Sequence, residues 1–293
     1  MREEEDSVKA WQAVAGGVLG GLLIGGAALG TAYLLRRRPA VPQGKGVFVR
    51  SLIADTPTPE SMVAVARDLD LGWVALAGDD TSNQVSTIYE DRLPAYVSAL
   101  QNAGVQVFLW GWPDNATDGE IEQISAQLGT LGQELDVDGL IINPERPFHS
   151  LKSRPDPYLA AQARKMMKKL RAYGLPIGMT SYGSGPPWHP GFPWEAFADI
   201  DFGMPQIYDS KHRLPPEYPT IGVRNWQNAG LVPIIPLLGA SNRHLPAQMR
   251  DIADRTPTPA DAVGWWTLDH ALKSKGRTAM IRNYRFGDAR AVA

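Results

Sequence analysis

Apolar runs alternate with helical stretches along the chain, and this alternation restricts the fold more than any other feature of the sequence. The runs are apolar throughout, which is typical of the strands of a parallel sheet that is covered on both faces. Eight such runs predict an α/β fold that closes into a (β/α)8 barrel of the TIM type. An open doubly wound sheet is the alternative, but no glycine-rich phosphate loop follows the first run. The predicted strands are 46–53, 71–77, 105–110, 139–142, 176–181, 202–208, 232–237 and 262–267.

The N-terminal part of the chain differs from the rest in composition. A polar leader over 1–12 is followed by an apolar run over 13–35 that carries no charged side chain. Roughly 20 apolar residues span the ~30 Å core of a bilayer as a helix, so the run predicts a single-pass transmembrane helix in contact with lipid. A basic, proline-containing linker over 36–45 then leads to the barrel domain over 46–293. The chain is therefore expected to be localised in a membrane.

Two features of this segment bear on how the predicted helix would sit. Glycines four positions apart, among them Gly16 and Gly20, favour self-association of the helix. The arginines at 36–38 favour a cytoplasmic barrel, whereas an enzyme that degrades a cell wall needs the opposite side. The side of the membrane therefore stays open.

Charge and residue usage exclude several classes of function. The formal net charge is −2, with 29 basic and 31 acidic residues, and this balance gives no reason to expect a nucleic acid as partner. The chain has no cysteine, which excludes disulfides, thiolate metal sites and cysteine nucleophiles. Its five histidines show no metal-binding spacing, so we expect neither a metal nor a cofactor.

Carboxyl groups and aromatic rings follow the predicted strands at their carboxyl ends. In a TIM barrel these ends form the face that carries the active site. Glycosidases use paired carboxyl groups as acid and base or nucleophile, and sugar rings pack on aromatic faces. The pattern therefore predicts a glycan site. The candidate catalytic residues are Asn143, Glu145, Tyr208, Asp209 and Asp269, and the candidate substrate-binding residues are Trp110, Trp112, Asp114, Tyr182, Gln206 and Trp266.

Three segments carry a resemblance to a known class of proteins. They read LPIGMTSYGSGPPWHPGFPWEAFADIDFGMPQIYD, VDGLIINPE and GWWTLDHA. Together they resemble uncharacterised glycoside-hydrolase-like barrels of phage and bacterial cell-wall contexts, and more distantly they are similar to family 18 chitinases and family 25 lysozymes. Those enzymes end strand four in Asp-x-Glu, and the matching residues here are Asn143-Pro144-Glu145. The resemblance implies that Glu145 is the general acid and that Tyr208 corresponds to the chitinase tyrosine of strand six.

Asn143 stands where those families have an aspartate, and this difference leaves two functions open. An asparagine carries no negative charge to stabilise a cationic intermediate, and strand seven offers no second glutamate, so Asp209 and Asp269 remain as partners for Glu145. The first hypothesis is a membrane-anchored glycosidase that acts on peptidoglycan or a related glycan. The second is a catalytically silent barrel that serves as a glycan- or protein-binding structural module of a virion or envelope assembly.

Overall fold

The computed structural model describes residues 41–50, 52, 56–78, 92–150, 155–208, 215–240 and 245–286. Within them, eight parallel strands pair in chain order, and β1 closes the ring by pairing with β8. The predicted (β/α)8 barrel is confirmed. The strands are β1 Gly44–Val49, β2 Leu71–Ala77, β3 Gln106–Gly111, β4 Gly139–Ile142, β5 Ile177–Tyr182, β6 Phe202–Ile207, β7 Leu237–Gly239 and β8 Ala262–Trp266.

Helices among the described residues lie between these strands and after the last one. Several begin at the caps expected from the sequence: Thr58 and Asp156 each accept a hydrogen bond from a first-turn amide, and a proline opens each helix. The helices are α1 Pro59–Leu69, α2 Leu93–Asn102, α3 Asp118–Glu134, α4 Pro157–Arg171, α5 Tyr218–Asn228, α6 Pro246–Arg255, α7 Leu268–Leu272 and α8 Lys275–Asn283.

Two connections differ from the regular alternation. The segment between β5 and β6 contains two 3₁₀ turns, Pro186–Trp188 and Trp194–Phe197, and no α-helix. Strand seven was predicted over 232–237, but the regular strand begins only at Leu237. Pro233 and Pro236 have no amide hydrogen to donate to a neighbouring strand, so the earlier part of the segment pairs only in places.

Aromatic rings from β1, β2, β3 and β6 pack together in the barrel interior. Trp73 packs edge-on against Phe48 and Phe108, and Phe108 packs in the same way against Phe202, with centroids 5.7–6.2 Å apart. The rings fit because glycines face them: a Cβ on Gly46 would lie 2.0 Å from the Trp73 ring. The interior is thus a packed core, and in barrels of this type the active site lies at the carboxyl ends of the strands.

The predicted membrane localisation is corrected by the part of the chain that the structure describes. No helix there is both long and apolar enough to cross a bilayer. The longest, α3, has 17 residues and carries acidic side chains in its first turn, as befits a helix with one face in water. The run 13–35, for which lipid contact and self-association were predicted, lies outside the described residues, and neither prediction is supported.

Candidate active site

Three neighbouring strands bring the central residues of the site together. Gln206 of β6 lies opposite Tyr182, the last residue of β5. Glu145 follows β4, which is the neighbour of β5 on its other side. Asn143 continues the β4 ladder because its amide donates a 2.9 Å hydrogen bond to the carbonyl of Gly111. Side chains that are distant in sequence therefore meet at the carboxyl ends of β4, β5 and β6.

One amide group connects the predicted acid to its neighbour. The Nε2 of Gln206 donates to Oε1 of Glu145 at 2.5 Å and to Oδ1 of Asn143 at 3.0 Å. Asn143 is buried, with 3% of its surface exposed, while Glu145 is partly buried. The predicted catalytic residues Asn143 and Glu145 and the predicted substrate-binding residue Gln206 therefore form one hydrogen-bonded group.

Burial dominates the electrostatics of this group. Removal from water raises the pKa of Glu145, while hydrogen bonds from Gln206 and Asn143 oppose the rise. Burial, together with the nearby Glu145 carboxylate, raises the pKa of Tyr182 to about 12. The same two causes, with a smaller effect of Tyr218, raise the pKa of Tyr208 well above its usual value. Both phenols consequently stay protonated beside a carboxyl group that holds its proton more tightly than usual.

The backbone around Glu145 is held by its neighbours. The hydroxyl of Ser181 donates a 2.6 Å hydrogen bond to the carbonyl of Pro144 from a buried position. The amide of Phe148 then donates to the carbonyl of Glu145 at 3.1 Å and so closes a 3₁₀ turn over Arg146–Phe148. A turn that is fixed on both sides of Glu145 keeps the carboxyl group in place against Gln206.

An aromatic cluster lies at the same ends of β1, β3 and β8. The ring centroid of Trp266 is 5.2 Å from that of Trp110 and 5.4 Å from that of Phe48. Trp110 is 3% exposed, and its indole N–H donates to the carbonyl of Val49 at 3.1 Å. Trp266 is only partly buried. Of these two rings, Trp266 is therefore the more accessible, and Trp110 packs against it.

The contacts that the described residues give Asp114 and Asp269 are with residues other than Glu145. Asp114 is exposed, and its amide is tied to the carboxylate of Glu120 at 2.6 Å. Asp269 lies at the start of α7, 3.7 Å from the ring nitrogen of His270. Trp112 packs against the core from a partly buried position. Asp209 lies outside the described residues.

Two histidines that show no motif in the sequence contribute to this end of the barrel. His149 follows the 3₁₀ turn after β4, and His189 follows the first 3₁₀ turn after β5. Both rings contact the ring of Tyr182. No sequence spacing indicates the position of His149, because its contacts join the loop after β4 to the loop after β5. Among the described residues, no group of three or more His, Asp or Glu side chains is arranged to hold a metal ion.

No protein-family model and no curated protein matches the chain. Solved structures match its fold. A chitinase from Rhizomucor miehei is 14% identical and superposes with a TM-score of 0.59 over 83% of this chain and 100% of that one. An endo-β-N-acetylglucosaminidase from Cordyceps militaris, in its apo form, is 14% identical, with a TM-score of 0.56 over 85% and 92%. A double mutant of the latter, in complex with fucosyl-N-acetylglucosamine-Asn, is 16% identical, with a TM-score of 0.53 over 85% and 92%.

These structures define the class to which the barrel is similar. It has the fold of chitinase-like glycoside hydrolases, and the predicted resemblance to family 18 chitinases is supported at the level of the fold. The predicted resemblance to family 25 lysozymes, and to phage or cell-wall proteins, finds no support in them.

Proposed function

We propose that the protein is a glycoside hydrolase that cleaves a glycan containing N-acetylglucosamine, with Glu145 as the general acid. The single observation that carries the proposal is the position of Glu145: a largely desolvated carboxyl group with a raised pKa, held by Gln206 at the carboxyl ends of the strands. A carboxyl group of this kind suits proton transfer to a leaving glycosidic oxygen near neutral pH.

The hydrogen bond from Gln206 orients the carboxyl group of Glu145. An amide nitrogen can only donate, so Oε1 accepts this bond. In the proposed reaction the proton of the neutral acid passes to the glycosidic oxygen as the bond between that oxygen and the anomeric carbon breaks. Water then adds to the anomeric carbon and gives up a proton, which restores neutral Glu145.

Neighbouring side chains suit an N-acetylated sugar. Tyr182 remains protonated and can donate a hydrogen bond to substrate, and Trp266 offers a ring for a sugar face. The fold neighbours act on chitin or on N-acetylglucosamine linkages, and one of them was solved with a fucosyl-N-acetylglucosamine ligand. We therefore propose chitin oligomers first and the glycan strands of peptidoglycan second as substrates.

The second carboxyl group of a glycosidase pair belongs to this proposal as well. Asn143 cannot act as a charged partner, which leaves Asp209 and Asp269 as the candidates. The side chain of Asp269 is 16% exposed, and its Oδ1 is buried without a hydrogen-bond partner among the described residues. A buried carboxylate oxygen that is not engaged within the protein suits a role towards substrate or water.

The proposal is tested by release of reducing ends from chitin oligomers and from purified peptidoglycan. Glu145→Gln keeps the size of the side chain and its bond to Gln206 but removes the transferable proton, so turnover should fall by about 10² to 10⁴. The matched control is Glu195→Gln, which changes an exposed glutamate in the turn over Trp194–Phe197 and should leave turnover unchanged. If the parent binds these glycans but releases no product, the barrel is a silent binding module and the enzyme proposal fails.

A further inference from the structure

The rings of Tyr182, His149 and His189 pack together beyond the ends of β4 and β5. The ring of His189 lies parallel to that of Tyr182, with centroids 4.1 Å apart and an interplanar angle of 14°. His149 packs against both rings at 5.3 Å, and Phe192 meets the edge of Tyr182 at 5.8 Å. The phenol ring of Tyr182 is thus restrained on several sides, which fixes its direction.

Contacts within and between the two loops fix the histidines. A ring nitrogen of His189 lies 3.0 Å from the hydroxyl oxygen of Ser184 in the same loop. The amide of Ser150, next to His149, donates to the carbonyl of Gly191 at 3.0 Å. This second bond joins the loop after β4 to the loop after β5.

Both imidazoles are uncharged near neutral pH. Burial, and then the neighbouring His149, lower the pKa of His189 to about 4, and burial lowers the pKa of His149. Two neutral rings can pack against each other and against Tyr182 without charge repulsion. The charged groups that act on Tyr182 are Glu145 and Arg146.

The hydroxyl of the restrained phenol is not engaged by the part of the chain that the structure describes. It makes no hydrogen bond with any described residue, and its pKa of about 12 keeps the proton in place. Tyr182 lies opposite Gln206 and close enough to Glu145 for the carboxylate to affect its ionisation. A donor that is oriented, but that no described side chain engages, is suited to a substrate oxygen.

We propose that His189, supported by His149, is a positioning residue that holds Tyr182 as a hydrogen-bond donor to the sugar bound at Glu145. The inference rests on the proposed function for the identity of the ligand, an N-acetylglucosamine oligomer. His189 lies outside the strand-end motifs, and it contributes to substrate affinity only through its effect on Tyr182.

The test is a double-mutant cycle on binding of the N-acetylglucosamine tetramer to the full chain, measured by calorimetry. All variants carry Glu145→Gln, so turnover does not interfere. Tyr182→Phe removes the donor and should weaken binding about three- to tenfold. His189→Ala should weaken it by a similar factor, but the double variant should bind no worse than Tyr182→Phe alone. His189→Phe, which keeps a ring on Tyr182, should restore most of the affinity.

The outcomes separate this inference from the proposed function. If His189→Ala lowers the affinity for the tetramer by the same factor in the presence of Tyr182 and in the presence of Tyr182→Phe, the positioning role is overturned. An absence of tetramer binding would overturn it as well. If the two substitutions lower tetramer affinity in a coupled way but the parent chain hydrolyses no glycan, the positioning role is supported and the proposed hydrolase activity is rejected. If His189→Ala does not fold by circular dichroism, His189→Leu takes its place in the cycle.

Discussion

Gln206 of β6 donates a 2.5 Å hydrogen bond to Glu145 at the end of β4, although 61 positions separate the two residues in the chain. This bond lowers the pKa of Glu145 and so opposes the effect of burial. The protonation of the proposed acid therefore depends on an amide carried by another strand.

Replacing that amide should change the pH range of the reaction. Gln206→Met keeps the length of the side chain but removes the donor, so the pKa of Glu145 should rise further. The alkaline limb of kcat/KM on chitin oligomers should then move to higher pH than in the parent. A limb at the same or lower pH would show that Gln206 does not control the acid.

Asn143→Asp should preserve or raise hydrolysis. An aspartate can still accept the bond from Gln206, and it restores the Asp-x-Glu pattern of the families that the chain resembles. A second carboxylate beside Glu145 should also raise the pKa of Glu145, because like charges disfavour its ionisation. Initial rates of the two proteins on one chitin oligomer at several pH values measure both effects. A large loss of activity in a folded variant would contradict this reading of Asn143.

Trp266→Ala should affect substrate binding more than chemistry. Loss of a ring that packs on sugar is worth roughly 0.5–1.5 kcal/mol beyond buried area, so KM should rise at least about two- to tenfold while kcat changes less. Tyr158→Ala is the control, since Tyr158 is 52% exposed at the start of α4 and has no proposed role. A fall in kcat with unchanged KM would assign Trp266 a different role.

The buried acid should also leave a signature in stability. The folded-state pKa of Glu145 is raised, so its contribution is fully present below the unfolded-state pKa of about 4.5 and is lost as the pH rises through the folded-state pKa. Glu145→Gln stays neutral at every pH. Its Tm relative to the parent should therefore be higher at pH 8 than at pH 4, as followed by circular dichroism. Glu195→Gln should show no such difference, and an equal shift for Glu145→Gln at both pH values would contradict the burial argument.

The sequence predicted the barrel well where strand and packing signals agree. The predicted bounds of β2 and β4 match the structure because these strands are apolar runs with clear ends. Strand seven was placed too early because an apolar run with two prolines reads as a strand, although Pro233 and Pro236 cannot donate to a ladder.

For the candidate site, the sequence indicated only residues that lie at or near the carboxyl ends of strands. Asn143, Glu145 and Gln206 were chosen as candidates because each lies at or near the end of a strand, and the structure brings the three side chains together because these ends converge in a barrel. The packing of His149 on Tyr182 and His189 depends on how the loops after β4 and β5 meet, and no periodicity in the sequence encodes those contacts. The packing of Trp110 against Trp266 joins residues from β3 and β8, so it likewise depends on tertiary structure.

The most direct test of the account is the pH dependence of kcat/KM for hydrolysis of a chitin oligomer by the full chain. If Glu145 is the general acid, kcat/KM should fall as the pH rises through a pKa above the ordinary value of 4.5, and the limb should respond to Gln206→Met. The residual activity of Glu145→Gln should show no such limb. An alkaline limb that persists unchanged in Glu145→Gln would contradict the assignment of Glu145 as the acid.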